Sequence, residues 1–165
     1  MVSARMYDVQ MALIIQRLQE LGLQLPVAPT PVANYVPAII CGNELRTSGQ
    51  IPMQDGILMY HGSVPNCQSV EQATSAAKLC GLNAIAVAGA ALDGDFDRIN
   101  GVLQLRVFVA SDAEFDGHST VANGVSDLMV AIFGENGRHA RVAMGSIGLP
   151  LGATVEVEAV FSISE

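Results

Sequence analysis

Apolar side chains recur along this chain with two different periods, and the switches between them mark out the elements. Tyr7, Met11, Ile14, Leu18 and Leu21 fall three or four residues apart, and Gly22 stands where a left-handed stop would end the turn, so Met6 to Leu21 is predicted to be an amphipathic helix. Pro26, Pro29, Pro31 and Pro37 then make Leu25 to Pro37 an extended connector, since each removes a backbone donor and discourages helix before it. Val36–Cys41 and Glu44–Ser48 flank Gly42-Asn43, a dipeptide suited to a two-residue hairpin turn, which predicts an antiparallel pair. A short strand is expected near Ile57 to Tyr60.

A second helical stripe begins at Ser69 with a Ser-x-x-Gln capping box and runs through Ala73, Ala76, Ala77, Cys80, Ala84, Val87 and Ala91. So many alanines allow close approach to a sheet. Ile99 to Ala110 reads as a long strand, Val121 to Phe133 as another helix ended by Gly134 and Gly137, and Arg141–Ile147 and Thr154–Ile163 as two further strands. In the last, Val155, Val157, Ala159, Phe161 and Ile163 share one face while Thr154, Glu156, Glu158 and Ser162 share the other. The order of elements predicts an α+β layer, a mixed sheet with both later helices on one face. The other sheet face, part apolar and part acidic, calls for association with further copies of the chain.

Length and composition narrow this picture. At 165 residues the chain is read as one compact unit, and a hydrophobic share of 50% against 15% charged residues excludes a disordered chain. Sixteen acidic and eight basic residues leave a net charge of −8, which disfavours a nucleic-acid backbone as partner. Cys41, Cys67 and Cys80 form neither a C-x-x-C pair nor an even framework, and are read as packing thiols in a reducing, cytoplasmic setting. The longest apolar run, Ala84 to Leu92, is shorter than the ~20 residues of a membrane span. His61, His118 and His139 lie far apart in sequence and are read as surface or hydrogen-bonding residues, so no metal site is expected. Phosphate-loop, H-E-x-x-H and G-x-S-x-G patterns do not occur.

Arg141 carries the strongest chemical signal, because a guanidinium in a strand of small and apolar residues needs an anion or solvent. A salt bridge to Glu156 or Glu158 and a clamp on a substrate carboxylate both fit, and Glu156 is equally open between a solvated carboxylate and a working one.

The stretches Asn34-Tyr35-Val36-Pro37-Ala38, Thr47-Ser48-Gly49-Gln50-Ile51-Pro52, and Ala140-Arg141 through Leu149-Pro150 to Val155-Glu156-Val157-Glu158-Ala159 resemble, in that order, the RidA/YjgF family of imine deaminases. The resemblance divides the chain into a helical extension, residues 1–22, and a family-like domain, residues 23–165. It implies a chorismate-mutase-like α+β subunit, a homotrimer with clefts at subunit interfaces, and hydrolysis of 2-imino or enamine acids to 2-keto acids and ammonia without cofactor. By position it makes Arg141 the carboxylate clamp and Glu156 the residue that orients water, with Tyr35, Ser48, Asn123 and the backbone N–H of Ala143 lining the pocket. Ala143, Met144 and Ser126 depart from the usual family residues, and the loop Gly134 to His139 brings Arg138 and His139 toward Arg141. A trimer that binds a 2-keto acid without turning it over is the alternative; it needs Arg141 but not Glu156.

Overall fold

The computed structural model describes residues 14–29 and 34–165. Residues 14–20 form the described part of a first helix, α1, and the portion of the predicted helix from Met6 to Leu13 lies outside the described residues, as does Pro31. Gly22 takes φ 65°, which lets its N–H reach the Gln19 carbonyl at 3.0 Å while Leu23 N–H reaches Leu18 at 2.8 Å. These two bonds satisfy carbonyls that a helix end leaves bare.

The predicted hairpin is present as β1 (Ala38–Cys41) and β2 (Glu44–Thr47). Of its two turn residues Gly42 takes the positive φ, 59°, so the turn uses glycine at its first central position rather than two left-handed residues. The expected strand at Ile57–Tyr60 shortens to β4 (Ile57–Leu58), paired with a strand not foreseen, β3 (Met53–Gln54). Asp55-Gly56 between them, at φ 51° and 77°, is the signal that could have announced this second hairpin.

Helix α2 (Val70–Ala91) starts as read: Gln72 N–H donates to Ser69 Oγ at 3.2 Å and Ser69 N–H to Gln72 Oε1 at 2.8 Å. Every residue from Cys80 to Gly89 is buried, so the apolar stripe widens to the whole circumference because neighbours approach from all sides. One neighbour is the β3 approach, held by Asn83 Nδ2 donating to the Met53 carbonyl at 2.9 Å. Another is α3 (His118–Phe133), which crosses α2 where Gly81 and Gly124 remove side chains; a methyl on Gly124 would overlap the Thr74 carbonyl.

The remaining strands are β5 (Ile99–Ala110), β6 (Ala140–Ser146) and β7 (Val155–Ile163), and the main sheet runs β1-β2-β7-β5-β6. Strands β5 and β6 are parallel, joined across α3, and the other pairs are antiparallel. Both helices cover one face, over a core that includes Leu45, Leu105, Val107, Val125, Met129 and Phe161. The alternation along β7 is as read, with its odd-numbered residues buried. The uncovered face carries Ile39, Val142 and Met144, all well exposed, among Arg106, Glu156 and Glu158.

The cysteine reading holds for Cys80 but not for the other two. Cys80 is buried beside the Val155 carbonyl, and burial pushes its thiol well up, with the Glu156 charge adding to this. Cys41 and Cys67 are exposed, one ending a sheet-edge strand and one in the loop before α2, where nothing packs over them fully.

Candidate functional site

Arg141 owes its direction to strand register. It lies beside Leu105, and Ala143 and Gly145 lie beside Val107 and Val109. Those three β5 residues are buried under the helices, and in-register neighbours share a face. Arg141, Ala143 and Gly145 therefore turn toward α3, and Val142 and Met144 toward the uncovered side. Nη1 of Arg141 donates to Asn123 Oδ1 at 2.9 Å and to Ser126 Oγ at 3.1 Å. Asn123 and Ser126, three apart on α3, flank its buried stripe of Val121, Ala122, Val125 and Leu128.

Two bonds use both protons of Nη1. Among the described residues Nη2 and Nε make no hydrogen bond and Arg141 forms no ion pair, so the expected alternative of a salt bridge to Glu156 or Glu158 is not formed within the chain. The open edge of the guanidinium, Nε with Nη2, has the spacing that takes a carboxylate in two parallel bonds. Asn123, its Oδ1 occupied by Arg141, has its amide protons left to donate.

Ala143 adds a backbone donor to the same place. Ser111 N–H bonds the Ser146 carbonyl at 3.0 Å, while Ala110 N–H bonds Thr154 across the other side of β5. This phase directs the even-numbered residues of β6 at β5. Because β6 is the last strand of the sheet, the N–H groups of Arg141, Ala143 and Gly145 point out from its edge.

The loop residues divide. Arg138 pairs with Glu135 at 2.9 Å, both side chains largely exposed, and is drawn to its own turn. His139 instead reaches Ser126, Nε2 to Oγ at 3.0 Å, with Nδ1 2.6 Å from the Gly137 carbonyl. His118 meets Ser111 at 3.0 Å and His61 is exposed, and among the described residues no three potential ligands cluster to hold a metal.

Glu156 sits in a different neighbourhood. It lies beside Phe108 in the sheet register, on the uncovered face, half-buried against Gly49, where a methyl would overlap its Oε1. Burial pushes its carboxyl up, and the charge of Glu158 pushes it further. Glu158 itself pairs with Arg106 at 3.4 Å across the sheet surface. Ser48 precedes Gly49 and donates to the Val36 carbonyl at 2.6 Å, which places the exposed Tyr35 at the same end of the sheet.

The six predicted residues thus form two groups. Arg141, Asn123 and Ala143 lie at the β6 edge under α3; Glu156, Ser48 and Tyr35 lie at the β1-β2-β7 side. Between Arg141 and Glu156 stand two inter-strand steps and three residues of strand, roughly 14 Å in all, and their side chains leave opposite faces. One chain does not bring them together. The residues that sequence reasoning did not assign a role are Ser126 and His139, and Gly49, whose lack of a side chain makes room for Glu156. Two surface cavities, about 220 Å³ beside Arg17 and Asn136 and about 310 Å³ beside Lys78 and Asp127, contain none of the six.

The chain belongs to the YjgF/chorismate mutase-like family of candidate endoribonucleases, whose model matches residues 15–162. It is 42% identical over 152 residues to protein TCP17 of Trypanosoma cruzi, covering 92% of this chain and 94% of that one. A protein of unknown function from Agrobacterium tumefaciens is 43% identical, with TM-score 0.92 over 99% of this chain and 100% of its own. RidA from an Antarctic Psychrobacter is more distant, at 26% identity and TM-score 0.58 over 85% of this chain and 97% of its own.

Proposed function

We propose that the protein hydrolyses small 2-imino or enamine acids to 2-keto acids and ammonia, at sites built between neighbouring copies in a cyclic homotrimer. The observation that carries this reading is the unoccupied Nε–Nη2 edge of Arg141 beside the free N–H of Ala143, a ready-made receptor for one carboxylate. The likeness to RidA supports it. So does the separation of the two residue groups, since a head-to-tail ring joins one end of each sheet to the other end of the next.

In the assembled cleft, the substrate carboxylate is held by Arg141 of one copy through charge-assisted bonds of roughly 1.5–3 kcal/mol each. The Asn123 amide donates beside it, and Tyr35 and Ser48 of the neighbour close the opposite wall. Glu156 of the neighbour accepts a proton from water as the water oxygen adds to the C=N carbon. The nitrogen takes that proton back to give the carbinolamine; Glu156 then accepts the hydroxyl proton and passes it to nitrogen, so that the C–N bond breaks and ammonia leaves as the keto group forms. A carboxyl held above its ordinary range by burial is a stronger base when ionised, which suits this step. No metal or organic cofactor enters the scheme.

The endoribonuclease description of the family fits this chain less well. Its net charge is −8, and Arg17, Arg46, Arg106 and Arg138 are each engaged by a carboxylate, which leaves few cations for phosphates. The test generates 2-imino acids with an amino-acid oxidase and follows their capture by semicarbazide. Wild type lowers capture and Arg141→Ala does not. Binding of 2-keto acids with no effect on capture would replace the enzyme with a binding protein, and an Arg141→Ala variant as effective as wild type would remove the clamp.

A further inference from the structure

We infer that Ser126 and His139 are positioning residues for Arg141, joined to it by a chain of hydrogen bonds that runs in one direction and aims the free edge of the guanidinium at substrate. The inference takes its substrate from the deaminase reading above, but its logic rests on proton counts. His139 Nδ1 lies 2.6 Å from the Gly137 carbonyl, an oxygen that can only accept, so Nδ1 carries the ring proton. In the neutral ring Nε2 is then bare, and at 3.0 Å it accepts the hydroxyl proton of Ser126. With its proton committed, Ser126 Oγ presents a lone pair to Arg141, which donates from Nη1 at 3.1 Å. Each group supplies what the next one lacks.

The far end of the chain is anchored in backbone. Gly137 is buried, and a methyl there would overlap the Met129 carbonyl, so the turn that offers its oxygen to His139 is pressed against α3. Arg141 is consequently tied twice to the same helix, directly through Asn123 and directly through Ser126, and Ser126 is held in turn by His139 and the Gly134–Gly137 turn. Both ties fall on Nη1. A guanidinium is planar, so fixing Nη1 at two points fixes the plane and leaves Nε and Nη2 on the outward edge, before any carboxylate arrives. A ring protonated at both nitrogens would break the sequence, because Ser126 would then face two donors and have no acceptor for its own proton.

The test has three arms on the full chain. Nitrogen-15 spectra of histidine-labelled protein are expected to show His139 protonated at Nδ1 and bare at Nε2; the reverse tautomer would overturn the chain of bonds. Titration with 2-oxobutanoate is expected to show Ser126→Ala binding about tenfold more weakly, the cost of one lost bond of ~1.4 kcal/mol, and Ser126→Thr, which keeps a hydroxyl, binding within about threefold of wild type. In imine hydrolysis the same loss appears in KM with kcat within about threefold, a division that a merely structural defect does not produce. Unchanged affinity in Ser126→Ala would sink the inference; if that variant does not fold, His139→Ala is expected to lose the same factor and its failure to do so counts equally against it. A wild type that neither binds the keto acid nor hydrolyses imines would remove the proposed function instead, and the ring spectrum alone would then decide the positioning chain.

Discussion

Mixing two inactive variants within one assembly restores activity that each lacks, provided that every site takes Arg141 from one copy and Glu156 from the next. The structure supports that provision through distance. The two residues are roughly 14 Å apart on opposite faces of one sheet, beyond the combined reach of side chains that point away from each other. In a ring of three built at random from equal amounts of Arg141→Ala and Glu156→Gln chains, a site is intact when the first copy supplies the arginine and its neighbour the glutamate. Each condition is met half the time, so about one quarter of the sites work. Co-expression of the two variants under different affinity tags, followed by two-step purification of mixed assemblies, isolates the material for the semicarbazide assay. Pure mixed trimers always hold one intact site of three, so the purified fraction is expected at about one third of wild-type rate. Mixed assemblies as inactive as either parent would refute a site shared between copies, while a parent that retained activity by itself would refute the role given to its residue.

Other expectations concern the neighbours of these residues. Glu158→Gln removes a charge that raises the Glu156 carboxyl, so the acid limb of the pH–rate profile is expected to move to lower pH; a limb that stays in place or moves upward contradicts the assignment of Glu156 as base. Gly49→Ala is expected to push the Glu156 carboxylate off its seat and lower kcat, with little change in thermal midpoint because only the end of a flexible side chain must move. Gly124→Ala has the opposite profile: its methyl meets the Thr74 carbonyl, α3 is forced away from α2, and denaturant titration is expected to show a loss of about 1–3 kcal/mol together with weaker carboxylate binding through the adjacent Asn123.

Much of this architecture is written in local patterns. Ser69 and Gln72 set where α2 begins, Gly22 where α1 ends, and the alternation from Val155 to Ile163 which side of β7 is buried. Each is a matter of neighbours within a few positions, where hydrogen-bonding capacity, permitted φ and side-chain direction act without help from the rest of the chain. The candidate chemistry was legible as residue types in an ordered family pattern, Arg141 and Glu156 above all. Tertiary structure decided the rest, because it depends on register between distant segments. Pairing Leu105 with Arg141, and Phe108 with Glu156, sends the two charged groups to opposite faces. Winding α3 over β6 brings Ser126 against both Arg141 and His139, two residues to which no spacing rule links it. A strand shifted by one residue would reverse every one of these directions, which is why composition and periodicity could name the participants but not seat them.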